Sequence, residues 1–487
     1  MEKSITKNSI FYLIYNVLNV AFPFATGIYV ARVLFPSDIG LVETARNLAQ
    51  YFVTFSFLGI PTYGLREIAN VRNDKDELSK LYSELMVINT ISTAIFLILY
   101  LVLIFSVEMY RSNIVVYIIT GTSIALNFLN NTWLYEGLEK YDYISIRNSA
   151  FKFISLILLL IFVKDADDYL SYALISVIGT AGNYIFNIIN AKRYVQFQTK
   201  GLDLKRHLKS IIYLVVVNLA IEIYSMVDVT MLGLLCESQV VAYYAYGIKI
   251  QKILLQVVNT FTVVLVPRIS WYYKERKINE FNELLTKALQ IILIFSLPII
   301  VGINFVGGPI IIKLYGQEYI RSAYVLRWLI NVVCISPIGY LLGSRVLLVT
   351  GHESRMIRAV GIGAFVNIIG NYIMIPKFQE NGAAMASVIS EIVVATVYII
   401  LSHKYFRLNV SELTNTVKKL FISLIIMTIF LLIGKTLNLN SFVFIMMEIP
   451  ISAIFYFGVL LIIKEPVVYS YFVKISNRLL TKKHMIK

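Results

Sequence analysis

Eight of the ionisable residues inside segments apolar enough to cross a membrane are candidates for function, because charge is rare where hydrocarbon cannot solvate it. Five are cations: Arg32, Arg46, Lys249, Lys252 and Arg327. Three are acids: Glu222, Asp228 and Glu391. These cations, spread over four of the expected helices, invite a cationic cavity lining, and the bland alternative is snorkelling to the outer headgroups, most natural for Arg32 and open to Arg46. A buried carboxylate is either paired with a cation or neutralised by a proton. Those are the two conditions that a proton- or sodium-coupled transporter needs. A fixed pair of Glu222 or Asp228 with Lys249 or Lys252 is the structural alternative. Glu43, near the external boundary, is read as solvated.

The elements that must position these groups follow from composition. Of 487 residues 58% are hydrophobic and 15% charged, against about a quarter charged in a soluble domain. Apolar segments recur at or near the ~20 residues that a helix needs to span the bilayer. They fall at 8–34, 40–65, 81–107, 113–137, 146–163, 169–192, 210–235, 240–266, 282–306, 320–348, 356–376, 382–404, 415–434 and 442–464. The fold class is therefore an all-α polytopic membrane protein of about 14 transmembrane helices. A β-barrel would show shorter, alternating segments.

The net charge of +15 is not a nucleic-acid footprint, because Lys and Arg sit in short connections rather than on one soluble face. One set of alternate connections, from Lys3 and Lys7 to the tail after Lys464, holds 33 basic residues and the other holds six. This asymmetry puts both termini in the cytoplasm. The first apolar run is long, has no small-x-small cleavage site, and reads as a helix rather than a signal peptide.

The chain also repeats itself. Ser9 to Asn16 matches Ser210 to Asn218, Pro61 with Arg66 matches Pro267 with Arg268, and Gly137-Leu-Glu139 matches Gly351-His-Glu353, at spacings of 201 to 214 residues. Two pseudo-symmetric six-helix lobes, 1–200 and 201–410, followed by helices 13 and 14 with a basic tail (411–487), are expected. The basic stretch 192–209 reads as a linker on the positive side, or as a surface helix drawn to anionic lipid.

Catalytic constellations are absent from the sequence. His207, His352, His403 and His484 fall in connections, at the helix end beside them or in the tail, without metal-ligand spacing, and Cys236 and Cys334 form no CxxC pair. No Walker or dinucleotide motif is present. No metal or cofactor is expected beyond a coupling proton or sodium ion. Asparagines recur within helices at 16, 19, 127, 130, 131, 183, 187, 367 and 371, as interhelical hydrogen-bonding groups or as a polar pathway. Gly339 and Gly343 have GxxxG spacing and suggest close packing, and the many tyrosines could stack on sugar rings or form interfacial belts, which their positions favour.

The run GIPTYGLREIANVRNDKDELSKLYSE, from Gly59 to Glu84, resembles the second-helix and loop signature of Wzx-type polysaccharide flippases, within the superfamily of multidrug, oligosaccharidyl-lipid and polysaccharide exporters. FPFATGIYVARVLFPSDIG before it, and WLYEGLEKYDYISIRNSAFK after it, are similar to that family as well. The resemblance is most specific over about the first 160 residues. It implies two six-helix lobes around a cationic cavity, with alternating access driven by an ion gradient. The implied substrate is an oligosaccharide on undecaprenyl diphosphate, an O-antigen or capsule type repeat unit. It supports Arg32, Arg46 and Lys249 as cavity cations. Fixed Arg and Lys could replace the hydration of the diphosphate, while the prenyl tail stays in membrane lipid.

The implied setting is the bacterial cytoplasmic (inner) membrane, with a polysaccharide polymerase and chain-length proteins as partners and no nucleic acid. Alternatives are a cation-coupled multidrug exporter of the same superfamily, a membrane glycosyltransferase or polymerase, and an uncoupled lipid scramblase. The excess of cations argues against the exporter, and the short connections argue against an enzyme.

Overall fold

The computed structural model describes residues 5–263, 265–436 and 447–474. Lys3, His484, the start of the last expected helix at 442 and the tail beyond 474 lie outside the described residues. Every regular element among the described residues is helical. Helix is present in all fourteen expected segments. By length and composition, nine helices among the described residues could cross a membrane, or ten if the bent pair Ile449–Ile462 and Pro466–Lys474 is one span. The figure of fourteen crossings rests on the alternation of charge. Pro36–Phe57, for instance, is diluted by Asp38, Glu43 and Arg46.

Contacts divide the chain into two compact units, Met1–Ala245 and Tyr246–Lys487. The first contains α1 (Ile5–Val33), α2 (Pro36–Phe57), α3 (Ile60–Val71), α4 (Lys75–Ser106), α5 (Ile114–Ala125), α6 (Thr132–Gly137), α7 (Tyr141–Phe162), α8 (Tyr169–Ala181), α9 (Tyr184–Ala191) and α10 (Lys205–Leu235). The opening residues of α11 (Ser238–Val263) complete it. Within this unit α2 packs on α4, α5 and α10, α1 on α7, and α3 on α4 and α6.

Two sequence expectations need correction here. The segment 40–65 is not one helix, because Leu58 and Gly59 both adopt left-handed backbone (φ 51° and 74°) and the chain turns between α2 and α3. Pro61 then sits in the first turn of α3, where a missing N–H removes no helical hydrogen bond. Nor is 66–80 a charged loop. Helix continues to Val71, and α4 restarts at Lys75 on an Asp74 cap whose Oδ1 accepts the N–H groups of Asp76 and Glu77 at 3.0 and 3.1 Å. Glycine at 64 lets α3 approach α6: an added Cβ would lie 2.8 Å from Cε3 of buried Trp133.

The basic stretch 192–209 is not a surface helix along its length. Residues 195–204 are irregular, and they are strapped along α4. Gln196 N–H donates to Ser79 Oγ (3.1 Å) and Gln198 N–H to Ser83 Oγ (2.8 Å), one helical turn apart. The strap ends in a charge cluster. Glu84, fully buried, accepts from the Asp203 N–H at 2.7 Å and from Arg206 Nη2 at 2.5 Å, and its Oε2 lies 2.8 Å from His207 Nε2. The other ring nitrogen of His207 meets the Tyr63 hydroxyl at 2.8 Å. His207, expected in an open connection, is thus buried.

In the second unit α12 (Val266–Lys274), α13 (Ile278–Tyr315), α14 (Ile320–Leu329), α15 (Val332–Gly339), α16 (Ser354–Phe378), α17 (Glu380–Ser402), α18 (Val410–Thr436) and α19 (Ile449–Ile462) follow α11. Helices α16 and α17 form an antiparallel hairpin, and α17 packs on α14 and α15. Gly339 and Gly343 close onto Ala395 and Tyr398 of α17, so the GxxxG spacing is a packing device. The strap recurs: Arg407 N–H donates to Asn282 Oδ1 (2.9 Å) and Asn409 N–H to Thr286 Oγ1 (3.2 Å) on α13. Beyond α19 the chain bends by 94° into a short helix, Pro466–Lys474, capped by buried Glu465, whose Oε2 accepts the Val468 N–H.

Many tyrosines are core residues rather than belts. Tyr100, Tyr117, Tyr135, Tyr244, Tyr246, Tyr315, Tyr319 and Tyr456 are fully buried. Tyr100 and Tyr456 donate their hydroxyls to the helical carbonyls of Tyr117 (2.7 Å) and Ile294 (2.9 Å), which satisfies the one polar atom of an otherwise apolar ring.

Replacing Glu84 with Ala removes the acceptor of three donors and should cost about 3 kcal/mol. Glu84→Gln, which keeps an acceptor, should cost less. The check is the thermal unfolding midpoint of the purified full-length protein, and equal midpoints for wild type and Glu84→Ala would contradict this account of the cluster.

Candidate functional site

In the first unit Arg32 lies near the end of α1, while Arg46 lies on α2 and Glu222 and Asp228 on α10, and these two helices pack together. Small residues permit the approach, since Gly233 of α10 lies against Thr44 of α2, and a Cβ there would stand 2.7 Å from Thr44 Cγ2. Asn47 then crosses the seam, donating to Thr230 Oγ1 at 2.7 Å and to the Met226 carbonyl at 3.3 Å. Thr230 Oγ1 also lies 3.0 Å from the Tyr51 hydroxyl. A polar strip thus runs along a membrane-length interface, and Arg46 is the residue next to it in sequence.

Arg46 is 38% exposed and pairs with Glu43, one turn earlier, at 3.6 Å. Glu43, expected to be solvated, is only 16% exposed, and its position one turn from Arg46 explains why it turns inward. At 3.6 Å that contact is longer than a charge-assisted hydrogen bond, so a phosphate oxygen could compete with it for the guanidinium. Arg32, in the last turn of α1, is exposed.

Asp228 is 8% exposed and accepts the Tyr244 hydroxyl at 2.5 Å, a short charge-assisted bond if the carboxyl is ionised. Glu222 stands less than two turns before it, half-buried, on the same helix. The structure therefore gives Asp228 a hydrogen-bond donor that the sequence reading did not anticipate. The signal was there, because Tyr244 is a phenol in the apolar run that follows the short Cys236–Glu237 turn.

In the second unit Lys249 is half-buried, with Nζ 4.5 Å from the centroid of the Tyr246 ring. Tyr246 is held by Tyr315 and Tyr319, at centroid separations of 4.4 and 4.8 Å. A ring face stabilises the ammonium without consuming its donors. Lys252, one turn on, is exposed, as is Arg327, whose guanidinium lies 5.6 Å from the Tyr324 ring. Glu391 is half-buried on α17.

A stronger ion pair than any of these was missed. Arg321, at the start of the tenth expected segment, makes two contacts to Glu380 at 2.8 and 2.7 Å, and Glu380 is 1% exposed. This clamps the start of α14 to the start of α17. Among the described residues no group of three or more His, Cys, Asp or Glu could hold a metal ion.

The family model described as Polysaccharide biosynthesis protein matches residues 5–273. The chain belongs to the polysaccharide biosynthesis protein family. A second model, MatE, matches residues 214–373. Proteins described as O-antigen transporters share 24% identity over 80% of this chain and 97% of their own length in Shigella dysenteriae, and 22% over 81% and 95% in Escherichia coli (strain K12). Among solved structures, the lipid II flippase MurJ in an inward closed conformation superposes with a TM-score of 0.74 at 19% identity, covering 94% of this chain and 100% of that one. An inward-facing MATE family multidrug resistance transporter gives 0.61 at 15%, covering 81% and 95%. This member of the polysaccharide biosynthesis family thus has the helical transporter fold that those proteins share.

The geometry separates buried Asp228 from partly exposed Arg46. Arg46→Ala should lower stability by at most about 1 kcal/mol, as for an exposed pair. Tyr244→Phe, which withdraws a donor from buried Asp228, should cost about 2 kcal/mol. Unfolding midpoints of the two purified variants test the contrast, and a larger loss for Arg46→Ala would make Arg46 a structural residue.

Proposed function

We propose that this protein is a flippase for undecaprenyl-diphosphate-linked oligosaccharide, an O-antigen or capsule type repeat unit. In this reading it sits in the bacterial cytoplasmic membrane with both termini in the cytoplasm. It carries the headgroup from the cytoplasmic to the outer leaflet by alternating access. The single observation that carries the reading is that a member of this family keeps partly exposed or half-buried cations, Arg46 and Lys249, within its membrane-length helices. A diphosphate leaving water needs such groups, and each negative charge moving outward gains about 2.3 kcal/mol per 100 mV of inside-negative potential. Arg32, Lys252 and Arg327 are supplementary cations in this scheme.

The empty protein must return, and a proton or sodium ion taken up at Asp228, Glu222 or Glu391 would drive that step. The transferred unit would then pass to a polysaccharide polymerase and chain-length proteins. The chain itself performs no covalent chemistry in this scheme. Names of relatives support it: besides the O-antigen transporters, a capsular polysaccharide biosynthesis protein of Staphylococcus aureus matches over 30% of this chain. The MatE match favours a second reading, cation-coupled multidrug export. A cationic drug calls for acidic partners, however, and cations outnumber acids among the candidate residues.

The test is complementation of a flippase-deficient strain supplied with defined lipid-linked glycans. Wild type should restore surface glycan. Arg46→Ala and Lys249→Ala should each abolish it while remaining in the membrane, and normal glycan in both would remove the cationic-cavity reading. Coupling is tested in proteoliposomes: headgroup transfer should respond to an imposed pH or sodium gradient, and indifference to both would leave facilitated flipping alone.

A further inference from the structure

In the second unit a cleft of about 390 Å³ opens where α11 gives way to α12, beside the start of α13 and the short helix Pro466–Lys474. None of the charged groups assigned above to transport lines it. Its lining grades from charged to apolar in the same sense on two sides. Along α13 Glu280, Glu283 and Lys287 come first, and Ile291 follows one turn into the uncharged run 288–312. On the other side Leu265 belongs to the apolar run that ends α11, and Arg268 follows it in the first turn of α12. Lys287 and Arg268 therefore stand where membrane-length apolar runs give way to charge, at the level of lipid headgroups. The third wall is fixed from within. Glu465 accepts the Thr416 hydroxyl at 3.1 Å and the Val468 N–H at 2.8 Å, and Thr416 accepts Gln290 Nε2 at 2.9 Å. All three side chains are fully buried. This chain of bonds ties the short helix to α18 and α13, and so backs its Val467, which lines the cleft.

Charges of both signs line this cleft, and they are not spent on one another. Arg268 directs Nε and Nη2 to the Tyr272 hydroxyl at 3.2 and 2.9 Å, and Glu412 accepts from Asn409 Nδ2 at 3.3 Å. Among the described residues no ion pair within 4.0 Å joins Arg268 or Lys287 to Glu280, Glu283 or Glu412. Glu283 and Lys287 stay apart although they are one turn apart in the order that favours pairing. Nor do the described acids gather in a group that could hold a metal ion. Two cations against three acids leave one net negative charge, which disfavours an anionic lipid. The complement is a zwitterion with apolar chains, its phosphate on Arg268 and Lys287 and its ammonium on the carboxylates. A primary ammonium brings three N–H donors to those carboxylates, whereas a quaternary ammonium brings none.

We propose that this cleft binds one membrane phospholipid with a primary-amine zwitterionic headgroup, phosphatidylethanolamine. The headgroup lies among Arg268, Lys287, Glu283 and Glu412, and the chains leave along Leu265, Leu284 and Ile291. The site is separate from Asp228, Glu222 and Glu391, and it does not rest on the transport reading. A lipid there would join α12 and α13 to the short terminal helix.

The experiment is a thermal unfolding titration of the purified full-length protein in detergent with phosphatidylethanolamine, phosphatidylcholine and phosphatidylglycerol of identical chains. The expected result is a saturable rise in the midpoint with phosphatidylethanolamine, as linkage requires, half-saturating at a concentration at least about tenfold below that of either other lipid. Lys287→Glu should remove that preference. Glu283→Lys, which leaves three cations against two acids, should turn it toward phosphatidylglycerol. Equal half-saturation by the ethanolamine and choline lipids overturns the proposal, and so does tightest binding of phosphatidylglycerol by the wild type. An ethanolamine preference unchanged in both variants also overturns it, because the lipid would then be bound elsewhere. Both substituted side chains are exposed, so neither change should prevent folding, and the wild-type titrations alone are able to refute the assignment.

Discussion

A polar group within a membrane-spanning segment must find its partner inside the protein, because hydrocarbon offers none. Most of what distinguishes this chain from a bundle of greasy helices follows from that requirement. Asn47 crosses from α2 to Thr230 of α10, Tyr456 reaches the carbonyl of Ile294, and Arg321 clamps Glu380. Each of these side chains selects one neighbour and one register, where apolar packing alone would accept several. Hydrogen bonds between membrane helices are individually modest, commonly below ~2 kcal/mol, so their contribution here is specificity of pairing more than gross stability.

The same device is used twice at the ends of the helices. Asn282 and Thr286 follow Ser79 and Ser83 by 203 residues, and in each unit they accept alternate backbone N–H groups of an irregular linker. The residue types differ, Ser and Ser against Asn and Thr, but one hydrogen-bond acceptor per helical turn is preserved. A duplication diverged in sequence can retain such a contact because many short polar side chains satisfy an extended strand equally well.

How far the fold was legible in the sequence depends on the length scale of the signal. Helix is found in every segment that membrane-length apolarity and alternating charge marked. The break at Leu58–Gly59 was blurred because Pro61 and Gly64 nearby gave stronger turn signals, yet proline fits a first turn. Glu84 and His207 looked like ordinary residues of a basic side, since their pairing depends on a tertiary contact between positions 123 apart in sequence. Arg46 and Lys249 were visible as cations in apolar runs, but the Glu43 contact and the Tyr246 ring beneath Lys249 required coordinates. Tyrosines misled for a simple reason: the hydroxyl that suits a headgroup region suits a buried helical carbonyl as well.

The buried Glu84 cluster also has a consequence in time. Arg206 lies 122 residues after Glu84, and a ribosome adds roughly 5–20 residues per second. The carboxylate is therefore made on the order of 6–24 s before its guanidinium exists. During that interval the carboxylate lacks the charged partner that offsets its burial. The cluster that joins the linker to α4 can therefore close only after the opening turn of α10 has been made.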